Sequence, residues 1–385
     1  MSEDILNNIK AWEEDAFTLL EQMVNIDSGN DAKEGIDQVL HLTGDFLENL
    51  GFKLMYIVTP HEPTQLVATR QGRGKKVMFI GHADTVFAQG TAANRAFKRE
   101  NGRVYGPGVA DMKGGVVATL FIIKALLAAG NDTDFTVVIC GDEELSHPHT
   151  NAKEVFRQYA KGQDVCFCME PGRENGAVVI GRKGAMRPHI IVEGKAAHAG
   201  RNPEAGINAI AELSHKIVEL NALNDFANGK SVTIYTVKTS QQANTVPDLA
   251  ECWGDVRIKA VADAETMQKM IQEITDRVHV AGAKCRVEDN SITFMPFETT
   301  PQVLALYKLM QKEAAALGQQ ELLSEYSGGC SDASWPALEG TTTLCAIGPQ
   351  GGGAHTDSEY FEENSLVERM QLVAMTILHL GELEA

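Results

Sequence analysis

The sequence predicts an α/β protein: a mixed, mostly parallel sheet covered by helices, with a ferredoxin-like α+β domain inserted into it. Three observations predict this. Continuous apolar runs of strand length alternate with helical runs through the first part of the chain. The same alternation returns near the end. Between the two, the rhythm becomes β-α-β-β-α-β, the split βαβ arrangement. The expected domains are therefore 1–182 with 297–385, and an insert of 183–296.

Taken in order, the chain opens with "MSEDILNNIKAWEEDAFTLLEQM", where Ile5, Ile9, Trp12 and Leu19 mark an amphipathic helix. "KKVMFIG" (75–81) is an uninterrupted apolar run, read as a buried strand. "GGVVATLFIIKALLAAG" (114–130) is a helix, too short to span a bilayer and interrupted by Lys124. "FTVVICG" (135–141) is a strand, "NAKEVFRQYAKG" (151–162) a helix and "DVCFCME" (164–170) a strand. In the insert, "GAMRPHIIVEG" (184–194) is a strand and "PEAGINAIAELSHKIVELNAL" (203–223) a helix. Two strands follow, "SVTIYTVKT" (231–239) and "LAECWGDVRIKA" (249–260). A helix at 263–282 and a strand, "KCRVEDNSITFM" (284–295), complete it. The first domain resumes with a helix at 300–318, a strand at 340–349 and a closing helix at 364–383.

At 385 residues the chain exceeds one typical core. Its formal net charge of -18 repels nucleic acid and anionic membrane, so neither is an expected partner. The seven cysteines have no framework spacing and read as reduced, mostly buried thiols. The N-terminus lacks the basic start and apolar core of a signal peptide, and the expected location is the cytoplasm.

Ligands of open α/β sheets bind beyond the carboxyl ends of the strands. There the sequence places His82 and Asp84 ("HAD"), the run Asp142-Glu143-Glu144, Glu170, and His355, Asp357 and Glu359 in "PQGGGAHTDSEY". Asp111 lies before the first long helix, in "YGPGVADMKGG". Each alone has an ordinary reading as a turn, a cap or a solvated loop. Together they are five segments bringing acids and imidazoles to one edge, and clustered like charges destabilise a fold unless a cation compensates. Imidazole with carboxylate suits Zn²⁺, Co²⁺ or Mn²⁺ rather than Ca²⁺. The inventory exceeds one ion and suits two that share a carboxylate, with another carboxylate left as a base.

The segments "GHADTV", "GPGVADMKGG", "DEE", "MEPG", "GKAAHAG", "NTVPD", "GDVR", "SGGCSDAS" and "GAHTDSEY" span nearly the whole chain. In this order they resemble the cocatalytic zinc metallopeptidases that include glutamate carboxypeptidases, acetylornithine deacetylases, succinyl-diaminopimelate desuccinylases and aminoacylases. The resemblance implies that His82, Asp111 and Glu170 hold one ion and that Asp111, Glu144 and His355 hold the other, Asp111 bridging. Two Zn²⁺ are implied, with Co²⁺ or Mn²⁺ as substitutes. Asp84 would clamp His82, and Glu143 would be the general base. A cis peptide would follow Asp111. The insert would serve as a lid and dimerisation domain, giving a homodimer. In it His198 would polarise the scissile carbonyl, and Asn244 and Arg257 would hold the substrate, with Gly329 near the bound carboxylate.

The implied reaction is hydrolysis of a small peptide, releasing a C-terminal amino acid such as glutamate. The alternatives are an N-acyl amino acid deacylase and a noncatalytic relative that binds metal or peptide. Three positions depart from the pattern. Met295 stands where glutamate carboxypeptidases often have an arginine, Cys330 where a small residue is usual, and "DEELS" lacks a glycine. His147 and His149 form a rival ligand pair, expected in a solvated loop past the site.

Overall fold

The computed structural model describes residues 1–148, 150–240 and 243–383. The chain divides into two compact units. One comprises Met1–Gly181, Thr299–Tyr326 and Ser331–Ala385, and the other Arg182–Glu298 and Ser327–Cys330.

The first unit is built on a six-stranded sheet. Its order is Lys53–Ile57, Gln65–Arg70, Asp134–Cys140, Lys76–His82, Val165–Cys168, Thr342–Leu344. The last four strands are parallel and the first two antiparallel. Strand Lys76–His82 is apolar from Val77 to Ile80 because both its faces are covered. Phe79 sits at its centre, with ring centroids 6.4 Å from Phe135 and 5.7 Å from Phe167. Phe79→Ala would cost about 3–5 kcal/mol, from lost transfer energy and the cavity left behind. The parallel register sets His82 opposite Cys140 and Ile80 opposite Cys168, so all three strands deliver their next residues to one edge.

Helix Gly114–Ala128 is apolar on every side and almost wholly buried, packed against Ser2–Ala11 and the closing helix Ser365–Leu378. Gly115 lets it approach the sheet edge: a Cβ there would stand 1.9 Å from the Met169 carbonyl oxygen. The opening segment forms two helices, Ser2–Ala11 and Glu13–Val24, rather than the single one expected; Trp12 leaves helical geometry between them. A small antiparallel sheet orders Gly351–Gly352, Tyr360–Glu362, Arg103–Tyr105 and Lys98–Glu100. It sets the turn at 353–359 beside the loop at 106–111.

The second unit follows the expected β-α-β-β-α-β order. Its strands Lys284–Asp289, His189–Glu193, Leu249–Ile258 and Ser231–Thr239 lie side by side and antiparallel. Alternate residues of Leu249–Ile258 are buried, the period-two pattern of a sheet covered on one face. Ile190, Val192, Leu213, Leu220, Cys252 and Ile271 form the core against helices Ala209–Asn221 and Val261–Asp276. Two expected strands are broken. Pro188, which has no N–H to donate, separates Gly184–Met186 from His189–Glu193. Asn290 and Ser291 separate Lys284–Asp289 from Ile292–Phe294. Among the described residues no helix is long and apolar enough to cross a membrane. The seven cysteines are free thiols, five of them buried.

Candidate metal centre

At the carboxyl edge of the first unit's sheet, two sets of side chains meet. His82, Asp111 and Glu170 place one ligand atom each within 4.8 Å of the others. Asp111, Glu144 and His355 do the same. His82 Nε2 lies 3.2 Å from Asp111 Oδ1 and 3.9 Å from Glu170 Oε1. His355 Nε2 lies 3.2 Å from Asp111 Oδ2 and 3.2 Å from Glu144 Oε2. Asp111 thus offers one oxygen to each set.

Each member is positioned by a different element. His82 ends a central strand, and its Nδ1 lies 3.0 Å from the Asp84 carbonyl oxygen, which leaves Nε2 facing the carboxylates. Asp84 does more than was expected of it. Fully buried, its Oδ1 accepts the Glu143 N–H at 3.2 Å and its Oδ2 the Glu144 N–H at 2.9 Å. One residue therefore steadies the histidine through its carbonyl and the paired glutamates through its carboxylate. Glu170 follows strand Val165–Cys168, and His355 lies in the turn at 353–359.

Asp111 precedes helix Gly114–Ala128, and the Asp111–Met112 peptide is cis. Its loop is held by Glu359, a residue placed at this edge by the sequence but given no role there. Glu359 Oε1 accepts the N–H groups of Ala110 at 2.8 Å and Asp111 at 2.9 Å, and Oε2 that of Gly108 at 3.0 Å. The only sequence signal was an acid four residues beyond His355. Asp357, its neighbour, faces solvent near Arg95 and takes no part.

The electrostatics conflict. Burial raises Glu143 to about 8 despite the nearby His82, and the carboxylates of Asp332, Glu144 and Asp111 add to the rise. Burial and the carboxylates of Asp111 and Glu143 push Glu170 well above its ordinary value. Hydrogen bonds to Asp111 and Glu144 raise His355 to about 10. Without a cation, a proton on His355 would be what offsets the crowded carboxylates. Glu144 Oε1 is buried with no hydrogen-bond partner among the described residues. An orphaned carboxylate oxygen inside such a set fits a divalent cation, which would satisfy it and relieve the crowding.

His147 is not the solvated residue expected of this loop. His147 is buried, with its ring between Asp142 and Asp332 at 2.9 Å and 2.7 Å. The Asp332 partner lies 185 residues away, beyond any local pattern. His149 lies outside the described residues.

The remaining predicted residues lie in the second unit. His198 and Asn244 adjoin: the Asn244 carbonyl accepts the Ala199 N–H at 2.8 Å, and His198 bridges to Thr245. Arg257 is paired in two places with Asp255, at 2.7 Å and 2.9 Å, and its Nη1 is 3.0 Å from Cys330 Sγ. Gly329 gives its carbonyl to Arg182 at 3.2 Å. Met295 packs against the unit's apolar core.

A mixed α/β unit carrying two carboxylate–imidazole sets that share an aspartate defines a metal-dependent hydrolase. Residues 78–379 match the model of Peptidase family M20/M25/M40, and the chain belongs to that family. Carboxypeptidase G2 of Pseudomonas sp. (strain RS-16) is 28% identical over 374 residues, covering 94% of this chain and 88% of that protein. The succinyl-diaminopimelate desuccinylase of Variovorax paradoxus (strain S110) is 26% identical, covering 89% and 92%. In fold the chain is similar to the Bacillus subtilis YXEP protein, a dinuclear metal binding peptidase of the M20 family. That match has a TM-score of 0.67 at 17% identity, covering 97% of this chain and 100% of that one.

Proposed function

We propose that this chain is a two-metal peptidase that hydrolyses the amide bond preceding a C-terminal amino acid in a small peptide. One observation carries the reading. Two ligand sets share Asp111, while Glu143 lies half-buried beside them and belongs to neither. His82, Asp111 and Glu170 would hold one divalent ion, and Asp111, Glu144 and His355 the other, with zinc the best fit to the donors. Bound there, the ions would lower the pKa of a water to about 7 and polarise the carbonyl.

Glu143 takes a proton from the attacking water and returns it to the leaving amine as the C–N bond breaks. Nearby cations favour its ionised form, which a base requires. Asp84 holds Glu143 in place through the backbone. His198 donates to the developing oxyanion. Asn244, Arg257 and the backbone at Gly329 hold the substrate. Arg257 Nη1 is not used by Asp255; one of its N–H groups donates to Cys330 Sγ, and its second suits a product carboxylate.

A homodimer through the second unit accompanies this reading. Strand Ser231–Thr239 pairs on one side only among the described residues, with Leu249–Ile258. It exposes Tyr235 and Val237, and the helix Ala209–Asn221 exposes Ile210 and Val218.

The second reading is an N-acyl amino acid deacylase. Met295, half-buried against the core where an arginine would grip glutamate, favours it, as does the similarity to a desuccinylase. Turnover of a panel separates the two. C-terminal glutamyl and other peptides should react under the first reading. If only acetyl or succinyl amino acids react, the deacylase stands; if neither class reacts with both ions bound, both readings fail.

A further inference from the structure

We propose that His147 is a positioning residue, clamped between Asp142 and Asp332 so that its loop presents Glu143 and Glu144 in the geometry the reaction needs. This rests on the reading of Glu143 as the base. The loop leaves strand Asp134–Cys140 and closes on itself at once. The His147 N–H donates to the Asp142 carbonyl at 3.1 Å, and the Ser146 N–H to the Glu143 carbonyl at 2.6 Å. Ser146 and His147 both have positive φ, 68° and 55°. Residues other than glycine stay there only when their surroundings hold them.

The His147 side chain supplies that hold. Nδ1 reaches Asp142 Oδ1 at 2.9 Å and Nε2 reaches Asp332 Oδ1 at 2.7 Å. With a carboxylate at each end both nitrogens donate, so the ring is an imidazolium. Asp142 also accepts from Thr150 Oγ1 at 2.8 Å, and Asp332 from Trp335 Nε1 at 3.1 Å and Cys140 Sγ at 3.5 Å. Cys140, His147 and Asp332 are close enough to hold an ion. Their atoms already satisfy one another, which favours a clamp over a third metal site. The loop is thereby pinned at both sides of the paired glutamates: by Asp84 at their backbone and by His147 at the neck. Without the neck, a shift of about 1 Å at Glu143 is worth up to about 100-fold in rate.

The test uses zinc-saturated enzyme, its metal content verified. His147→Gln removes the charge and one of the two donors. We expect kcat to fall about 10- to 100-fold with KM within about twofold, and zinc to be lost to a chelator more readily. Adding His147→Gln to Glu143→Gln should bring no further loss, because no base is left to aim. The proposal is overturned if His147→Gln keeps kcat and zinc retention within about twofold of the parent, or lowers Glu143→Gln by its full factor. Should His147→Gln not fold, Asp332→Asn, which leaves the ring one carboxylate, goes through the same cycle under the same criteria. An active Glu143→Gln enzyme would strike the base assignment itself, separately from the clamp.

Discussion

Glu359 is the residue whose removal should disturb the centre most without touching an ion. It is 1% exposed, and three backbone N–H groups of the Asp111 loop converge on its carboxylate. In Glu359→Gln the amide oxygen can keep the two bonds from Ala110 and Asp111. The amide nitrogen then faces the Gly108 N–H, donor against donor. One lost charge-assisted bond is worth about 1.5–3 kcal/mol, offset in part because a neutral amide is easier to bury than a carboxylate. The expected net loss is about 1–3 kcal/mol. Glu359→Ala orphans all three N–H groups, at about 1–3 kcal/mol each where water does not enter, so it should lose two to three times as much. Urea unfolding of the metal-free proteins gives the stabilities, and chelator competition gives zinc affinity, which should fall in the same order because Asp111 is no longer fixed. If Glu359→Ala unfolds within about 0.5 kcal/mol of wild type and binds zinc equally well, the anchoring role is wrong.

Three further outcomes are expected. His355→Ala should reduce bound metal from about two ions per chain toward one by elemental analysis, since His355 serves a single set; unchanged content would remove it from that set. His147 has a folded pKa of about 10 against an ordinary 6.5: burial alone would lower it, and Asp332 and Asp142 more than reverse that. Its contribution to stability is therefore full below pH 6.5 and lost as pH rises through 10, by at most roughly 5 kcal/mol. Thermal unfolding of wild type should weaken across that window more steeply than His147→Gln, and equal slopes would contradict the buried imidazolium. Tyr235→Asp on the exposed edge strand should shift light-scattering mass from dimer toward monomer, and an unchanged mass would place any dimer contact elsewhere.

Much of this was legible in the sequence, for a physical reason. Strands buried on both faces are continuous apolar runs, so their ends are visible. His82, Asp84 and Glu170 could be located as residues just past "VMFIG" and "CFCM". The pairing of Asp111 with His355 came from resemblance, because spacing alone does not show which loops meet. The antiparallel strands Lys53–Ile57 and Gln65–Arg70 were not read individually; the first is short and partly exposed and gives no clean period. His147 was misread for the same kind of reason. A histidine among carboxylates and a proline looks like a solvated loop, and only tertiary structure brings Asp332 to it. Glu359 was visible as an acid, but its partners are backbone groups, which leave no mark on composition.

Anomalous scattering at the zinc edge from crystals of the zinc-loaded protein tests the central claim most directly. Two peaks are predicted, both within bonding distance of Asp111, one shared with His82 and Glu170 and the other with Glu144 and His355. A single peak, or peaks that do not share Asp111, would contradict it.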